Sequence, residues 1–249
     1  MPSDQKNTPP SCSACSGVMQ KQGATHCWSD PAVRGAKPAY CPSEPHAEAI
    51  REAFDEYRGE SDEARLARMA AKVEGLCYQP IPGSDAVNAR WTRVEDLVAL
   101  ARLMGWRKIG IATCIGLLDE TQKLSDILQA QGLSPFSACC KAGSIDKLDL
   151  GLEESDKVRP GTFEPACNPI AQARILNAEG TEMNIIMGLC VGHDMLFGKH
   201  SDAPVTTLVV KDRVTGHNPA AVLYGQNFYY KRLQKRPVLS DEEVDRHRD

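Results

Sequence analysis

The chain has 249 residues, with a hydrophobic share of 42%, a charged share of 25% and a formal net charge of -4. These values are typical of a soluble globular protein of one or two domains, and the small negative charge argues against a nucleic-acid or anionic-membrane partner. No apolar run approaches the roughly 20 residues of a membrane-spanning helix. Residues 1–10 also lack the apolar core of a signal peptide, so we expect a cytoplasmic protein.

The chain contains ten cysteines, which need an explanation in a protein without an export signal. Reducing compartments disfavour structural disulfides, so metal ligands or reactive thiols are the better interpretations. Small buried core residues are the alternative, and this alternative suits Cys77. It suits the whole set poorly, because most of the others lie beside glycine, proline or the ends of predicted strands.

In the first third of the chain, we expect a disordered tail over residues 1–10 and then a cysteine-rich segment without helical or strand periodicity. A bound metal would supply the stability that such a segment cannot obtain from packing. Three helices are predicted next, over Pro45–Tyr57, Ser61–Glu74 and Asp85–Met104, with Gly75 ending the second.

After residue 105 the chain alternates between short apolar strands and amphipathic helices. The alternation predicts an α/β fold, with a parallel sheet covered by helices in a Rossmann-like three-layer arrangement. The predicted strands are 108–113, 133–138, 184–189 and 205–210, and the predicted helices are 117–131, 170–178 and 193–199. The predicted domains are a metal-binding segment with two helices over 11–83, an α/β domain over 84–232, and a charged tail over 233–249.

The first group of cysteines lies in the amino-terminal segment and consists of Cys12, Cys15, Cys27 and Cys41. Two thiolates three residues apart can turn toward one metal, and two further cysteines complete a four-thiolate site for zinc or a [4Fe-4S] cluster. Cys41 is followed by proline, as in bacterial ferredoxins, and this favours iron–sulfur. Structural zinc and unliganded or redox-active cysteines remain the alternatives.

The second group consists of Cys114, Cys139, Cys140, Cys167 and Cys190, which stand at predicted strand ends or before a predicted helix. Parallel strands end at one edge of a sheet, so we expect Cys114, Cys167, Cys190 and one of the adjacent pair to converge on a metal or redox site. Gly188 and Gly192 are expected to leave room for a group larger than one ion. Buried structural cysteines are the alternative.

Several residues beside the second group are candidates for further roles at this edge. Lys141, Asn168 and Gly192 are candidate cofactor contacts. No catalytic residue follows from the pattern, and the candidates for such a role are Cys140, Cys190 and His193. The turn Lys211–Arg213 could contact a ligand, although a solvated turn is commoner.

Four motifs within these regions resemble a family of uncharacterised prokaryotic cysteine-rich proteins that are generally labelled "metal-binding protein". The motifs are Cys139–Gly143, Cys167–Ala173, Gly188–Asp194 and Lys211–Arg213, and the resemblance extends from Cys12 to about Tyr224. It implies metal binding and assigns no reaction to any residue.

Three functions are therefore compatible with the sequence. The first is a redox or cluster-dependent protein with one or two [4Fe-4S] clusters; as an enzyme it would be an iron–sulfur oxidoreductase or a cluster-dependent lyase or desulfurase. The second is a zinc-binding module without catalysis. The third is a thiol enzyme with Cys140 or Cys190 as nucleophile and His193 as base. An electron-transfer protein or a small-molecule substrate is the expected partner.

Overall fold

The computed structural model describes residues 12–15, 41–43 and 45–248. The chain divides into two compact units between Lys72 and Val73. The first unit contains helix α1, Ala47–Glu56, and most of α2, Asp62–Cys77. The expectation that Gly75 ends α2 is wrong, since a glycine inside a helix costs about 1 kcal/mol but does not by itself stop the helix.

The second unit opens with a short antiparallel hairpin formed by β1, Tyr78–Pro80, and β2, Val87–Ala89. The predicted helix over Asp85–Met104 is therefore too long at its amino end. Helix α3, Arg93–Met104, begins after Thr92, which forms a reciprocal capping box with Glu95. That box is the stronger start signal, and it leaves the preceding residues to the hairpin.

A four-stranded parallel sheet forms the centre of the second unit. Its strands are β3, Lys108–Thr113; β4, Ser134–Cys139; β5, Met183–Met187; and β6, Val205–Val209. Their spatial order is β4-β3-β5-β6. Helices pack around this sheet, so the predicted α/β class is confirmed.

Five further helices follow the sheet strands in the sequence or complete the carboxyl-terminal part. They are α4, Leu118–Ala130; α5, Pro169–Ala178; α6, His193–His200; α7, Ala220–Tyr224; and α8, Asp241–Arg246. Short 3₁₀ turns occupy Cys12–Cys15, Ile115–Leu117, Lys147–Leu150, Glu154–Asp156 and Lys231–Gln234. Among the described residues, no helix has the length and apolar character needed to cross a membrane.

The two central strands form the core of the sheet, and every residue of β5 is buried. Gly110 on β3 pairs in register with Asn184 on β5. The buried Asn184 side chain accepts from Thr181 and donates to Ser201, both at 2.8 Å, and a Cβ at Gly110 would overlap its Oδ1 atom. Glycine at position 110 thus makes room for a buried amide that is hydrogen-bonded at both its oxygen and its nitrogen.

The segment between β4 and α5 is ordered by a buried lysine. The Lys157 side chain is only 2% exposed, and its Nζ atom lies 3.2 Å from the Asp146 carboxylate and 3.0 Å from that of Glu154. A β-bridge between Asp146 and Pro165 closes the segment. This closure fixes the approach of the chain to Cys167.

Candidate thiol site at the carboxyl edge of the sheet

Four cysteines meet at the carboxyl edge of the sheet, each delivered by a different segment. Cys114 directly follows β3, Cys140 directly follows β4, and Cys190 comes three residues after the end of β5. Cys167 precedes Asn168, the N-cap residue of α5. Because β4, β3 and β5 are neighbours in the sheet, roughly 4.8 Å apart, the first three cysteines end at one edge.

Backbone hydrogen bonds continue the sheet pattern past the strand ends and hold these segments together. The Cys114 amide donates to the Met187 carbonyl at 3.0 Å, and the Cys140 amide donates to the Thr113 carbonyl at 2.8 Å. The Asn168 amide donates to the Cys140 carbonyl at 2.7 Å. The positions of the cysteine backbones are therefore set by the protein's own hydrogen bonds.

Gln172 of α5 braces the same edge from the inside of the protein. Its Nε2 atom donates to the carbonyls of Thr113, at 3.1 Å, and Ala138, at 2.7 Å, and the residue is fully buried. Thr113 is the last residue of β3 and Ala138 is the last but one of β4. One amide group therefore joins the carboxyl ends of these two adjacent strands, where the cysteines follow. The sequence alone gave no signal for this role.

Cys140 is the most enclosed thiol of the group. It is buried, its thiol is hydrogen-bonded to that of Cys167, and the Ile115 amide donates to its Sγ atom at 3.4 Å. The hydrogen bond to Cys167 raises the pKa of Cys140, and burial raises it further. Cys140 therefore keeps its proton in the metal-free protein.

Cys167 behaves in the opposite way. Its pKa is lowered to about 5, first by the hydrogen bond from Cys140 and then by the positive charge of Lys141, with a smaller contribution from His193. The Lys141 ammonium donates to the Cys167 Sγ atom at 3.4 Å and to the Pro165 carbonyl. In the metal-free protein this pair therefore consists of a thiolate and a neighbouring thiol.

Cys190 receives its cationic partner from the loop after β6. An Nη2 hydrogen of Arg213 is donated to the Cys190 Sγ atom at 3.3 Å. This contact raises the pKa of Arg213, and the charges of Cys114 and Cys167 add to the effect. The Asp212 carboxylate accepts the amides of Val214 and Thr215, both at 2.9 Å, which fixes the turn that carries Arg213.

Cys139 does not belong to this group of four thiols, although it was a candidate ligand. It pairs with Thr113 in the sheet and packs against the core, and successive residues of a strand point to opposite faces. The structure thus places Cys140, rather than Cys139, beside the other cysteines.

The remaining candidates occupy a mixture of structural and open positions. The Asn168 Oδ1 atom accepts the Ala171 amide at 3.0 Å, so its side-chain oxygen caps α5. Gly192 precedes α6 with a φ of 85° and open space where a side chain would stand. The expected room at Gly188 is wrong, because Leu117 fills the space that a Cβ would occupy there. His193 begins α6 and is half-buried.

The amino-terminal group can be followed only in part. Cys12 is exposed and Cys41 is buried, whereas Cys27 and the side chain of Cys15 lie outside the described part of the chain. A four-thiolate centre there remains a prediction. Within the residues that the structure covers, the four sheet-edge cysteines included, no set of three or more histidine, cysteine, aspartate or glutamate side chains is already arranged to hold a metal ion.

The profile of a family described as "Protein of unknown function (DUF1847)" matches residues 41–208. The chain belongs to the DUF1847 family. It is also 42% identical over 180 residues to the uncharacterized protein MJ0455 of Methanocaldococcus jannaschii, an alignment that covers 72% of this chain and 85% of that protein. The expected membership in an uncharacterised family is confirmed, whereas neither description mentions metal.

The DUF1847 match includes all four cysteines of the sheet-edge group and stops before Arg213. The sequence leaves the role of the turn that contains Arg213 open, between contact with a ligand and a solvated turn. The turn follows a parallel strand and therefore lies at the same edge as the cysteines, where the structure places Arg213 against Cys190.

Proposed function

We propose that this DUF1847 protein binds an iron–sulfur cluster, of the [4Fe-4S] type, through Cys114, Cys140, Cys167 and Cys190, and uses it in a redox or cluster-based reaction. The observation that carries the proposal is the meeting of four thiols from four separate segments at one sheet edge. Bound there, the cluster would supply one-electron transfer.

The chemistry of the donor set supports this choice. Four sulfur atoms select zinc or iron–sulfur over the hard cations that prefer oxygen ligands. Each thiolate binds a different iron of a cluster, whereas a single ion needs all of its ligands at one point. Cys114, Cys140 and Cys190 come from the ends of adjacent strands, roughly 4.8 Å apart, which favours the wider arrangement, whereas the contact between the Cys140 and Cys167 thiols would also suit a single zinc ion.

The surrounding residues support the same proposal through charge. Several thiolates close together repel one another unless cations compensate for them. Lys141 and Arg213 each place a positive group within 3.4 Å of a sulfur atom, at Cys167 and at Cys190. These two cations compensate part of the negative charge that bound thiolates would bring, and Cys140, whose pKa is raised, would release its proton when metal binds.

We also propose that Cys12, Cys15, Cys27 and Cys41 bind a second metal centre, either a [4Fe-4S] cluster or a zinc ion. Its support is the sequence alone: the pairing of Cys12 with Cys15 and the proline after Cys41.

A thiol-dependent enzyme is the second candidate, and one specific observation favours it. Cys167, with its pKa lowered to about 5, lies in hydrogen-bond contact with the Cys140 thiol. Such a pair suits a nucleophile with a neighbouring resolving thiol. The nucleophile would then be Cys167 instead of Cys140 or Cys190, which the sequence had suggested.

The decisive experiment is anaerobic purification followed by measurement of iron, acid-labile sulfide, zinc and visible absorbance. The adjacent cysteines provide a matched pair of variants. Cys140→Ser should lower the iron content by about four atoms per chain, one [4Fe-4S] cluster, while Cys139→Ser should leave it unchanged.

A colourless wild-type protein without iron or sulfide would refute the cluster. Zinc in its place would favour the metal-binding module, and a metal-free protein would favour the thiol enzyme. Wild-type iron content in the Cys140→Ser variant would show that Cys140 is not a ligand.

A further inference from the structure

The thiol site contains three contacts in which a nitrogen donor faces a sulfur atom. The Ile115 amide donates to Cys140 at 3.4 Å, the Lys141 ammonium to Cys167 at 3.4 Å, and an Arg213 guanidinium hydrogen to Cys190 at 3.3 Å. Two of these three donors carry a full positive charge. Hydrogen bonds and charges at the sulfur ligands are among the main determinants of a cluster's reduction potential.

The two cations come from different parts of the chain and lie in different surroundings. Lys141 follows Cys140 directly, is half-buried and is anchored by the Pro165 carbonyl. Arg213 is exposed and is held by the turn at Asp212, and its charge acts on Cys190, Cys114 and Cys167. Neither side chain is a metal ligand, so each acts on the site through its charge and its hydrogen bond.

We propose that Lys141 and Arg213 are positioning residues that raise the reduction potential of the centre at the sheet edge. The inference rests on the proposed cluster and adds what its surroundings do. On reduction by a one-electron reductant such as dithionite, one electron enters the site and no bond to either residue forms or breaks. The site becomes more negative, so a nearby positive charge stabilises the reduced form.

The direction of the effect follows from that charge balance. Removal of either cation should shift the potential to a more negative value, because the reduced form loses more stabilisation than the oxidised form. The effect of the exposed Arg213 should weaken as the salt concentration rises, whereas that of the half-buried Lys141 should depend less on salt. Both cations act on the same site, and the charge of Arg213 also reaches Cys167, so the double variant measures whether their shifts add.

The experiment is a potentiometric titration with dithionite under anaerobic conditions, followed by electron paramagnetic resonance and visible absorbance. The variants are Arg213→Gln, Lys141→Met and the double variant. Arg213→Lys keeps the charge but changes the hydrogen-bond geometry, so it should shift the potential less than Arg213→Gln.

Arg102→Gln is the matched control. Arg102 stands in the last turn of α3, just before β3 begins, and so lies at the amino edge of the sheet, opposite the thiols. The Arg102→Gln variant removes the same unit of charge as Arg213→Gln, but far from the thiols. Its reduction potential should therefore remain close to that of the wild-type protein.

The outcomes separate this inference from the proposed function. Wild-type protein that binds no iron at the sheet edge refutes the cluster itself. If Arg213→Gln keeps its full iron content but shifts the potential no more than Arg102→Gln, the role in setting the potential is refuted. Loss of iron from Arg213→Gln would also overturn it, since Arg213 would then be needed to hold the cluster. Arg213 is exposed, so its variants test the inference even if Lys141→Met fails to fold.

Discussion

At the scale of single residues, the chemistry of the site depends on the contrast between Cys140 and Cys167. Both are thiols in the same hydrogen bond, yet the proton stays on Cys140, which is buried, while Lys141 and His193 favour the anion on Cys167. The hydrogen bond donated by Cys140, and after it the charge of Lys141, thus make Cys167 the anionic partner of the pair.

This contrast predicts the alkylation behaviour of the metal-free protein. With a pKa of about 5, Cys167 should remain mostly thiolate at pH 6, where an ordinary thiol, with a pKa near ~8.5, is almost entirely protonated. The rate of iodoacetamide modification at Cys167, followed by peptide mass mapping, should fall only as the pH drops through about 5.

Lys141→Met is the control, because removal of the positive charge should move this midpoint to a higher pH. A wild-type midpoint near that of free cysteine would contradict the assignment of the thiolate. The pH dependence of the free energy of unfolding follows from the same shift, because the pKa of Cys167 is lower in the folded protein than in the unfolded chain. The stabilisation that the Cys167 thiolate gives to the folded state is therefore complete above the pKa of the unfolded chain and is lost as the pH falls through about 5.

At this scale, sequence could narrow the ligands but could not choose among neighbours. The sequence correctly predicted that Cys139 and Cys140 stand at a strand end. Which of the two faces the other thiols depends on where that strand ends. The structure extends β4 to Cys139, one residue past the predicted end at 138, so Cys139 lies within the strand and Cys140 is the first residue after it. The contact of Arg213 with Cys190 depends on a loop conformation that has no periodicity to read.

At the scale of the elements, the packing of β3 against β5 depends on Gly110. An added methyl group would meet the Asn184 Oδ1 atom and, at 2.9 Å, the Leu176 Cδ1 atom, both buried and held by their neighbours. We expect Gly110→Ala to lower the free energy of unfolding by about 1–3 kcal/mol, the usual cost of overpacking a core. Urea denaturation measures this change.

Gly198→Ala is the control for that variant. Gly198 lies in α6 with no atom within 4 Å of an added Cβ, so alanine should be neutral or should stabilise the helix by up to about 1 kcal/mol. Equal unfolding midpoints for the two variants would mean that the β3–β5 contact is looser than described.

The elements themselves were largely predictable because their signals are local. β3 was predicted over the residues it occupies, and α5 differs by one residue at its start, where Pro169 stands at the first helical position. The β1–β2 hairpin was missed because three-residue strands, all of them exposed, have no hydrophobic alternation. The segment ordered by Lys157 was unpredictable for another reason: its ion pairs, from Lys157 to Asp146 and to Glu154, lie outside any helical or strand periodicity.

At the scale of the whole molecule, the proposed ligands span residues 114 to 190 and connect three strands with the start of α5. A group bound by all four thiols in the folded state alone must raise the stability of that state. Reconstitution with iron and sulfide should therefore raise the urea midpoint of the wild-type protein above that of the metal-free form.

Cys190→Ser provides the comparison, since it removes one ligand at the sheet edge and leaves the amino-terminal cysteines intact. Its midpoint should rise less on reconstitution than that of the wild type. An equal rise in both proteins would mean that the stabilising metal is bound elsewhere, for example by the amino-terminal group.

The delivery of the four thiols by separate segments also has a consequence for synthesis. The amino-terminal cysteines leave the ribosome early, within a stretch of 30 residues from Cys12 to Cys41. The sheet-edge group cannot be complete until Cys190 has emerged and β5 has paired with β3. A nascent chain could thus acquire metal at its beginning during translation, whereas the sheet edge must be loaded afterwards, on a nearly finished fold.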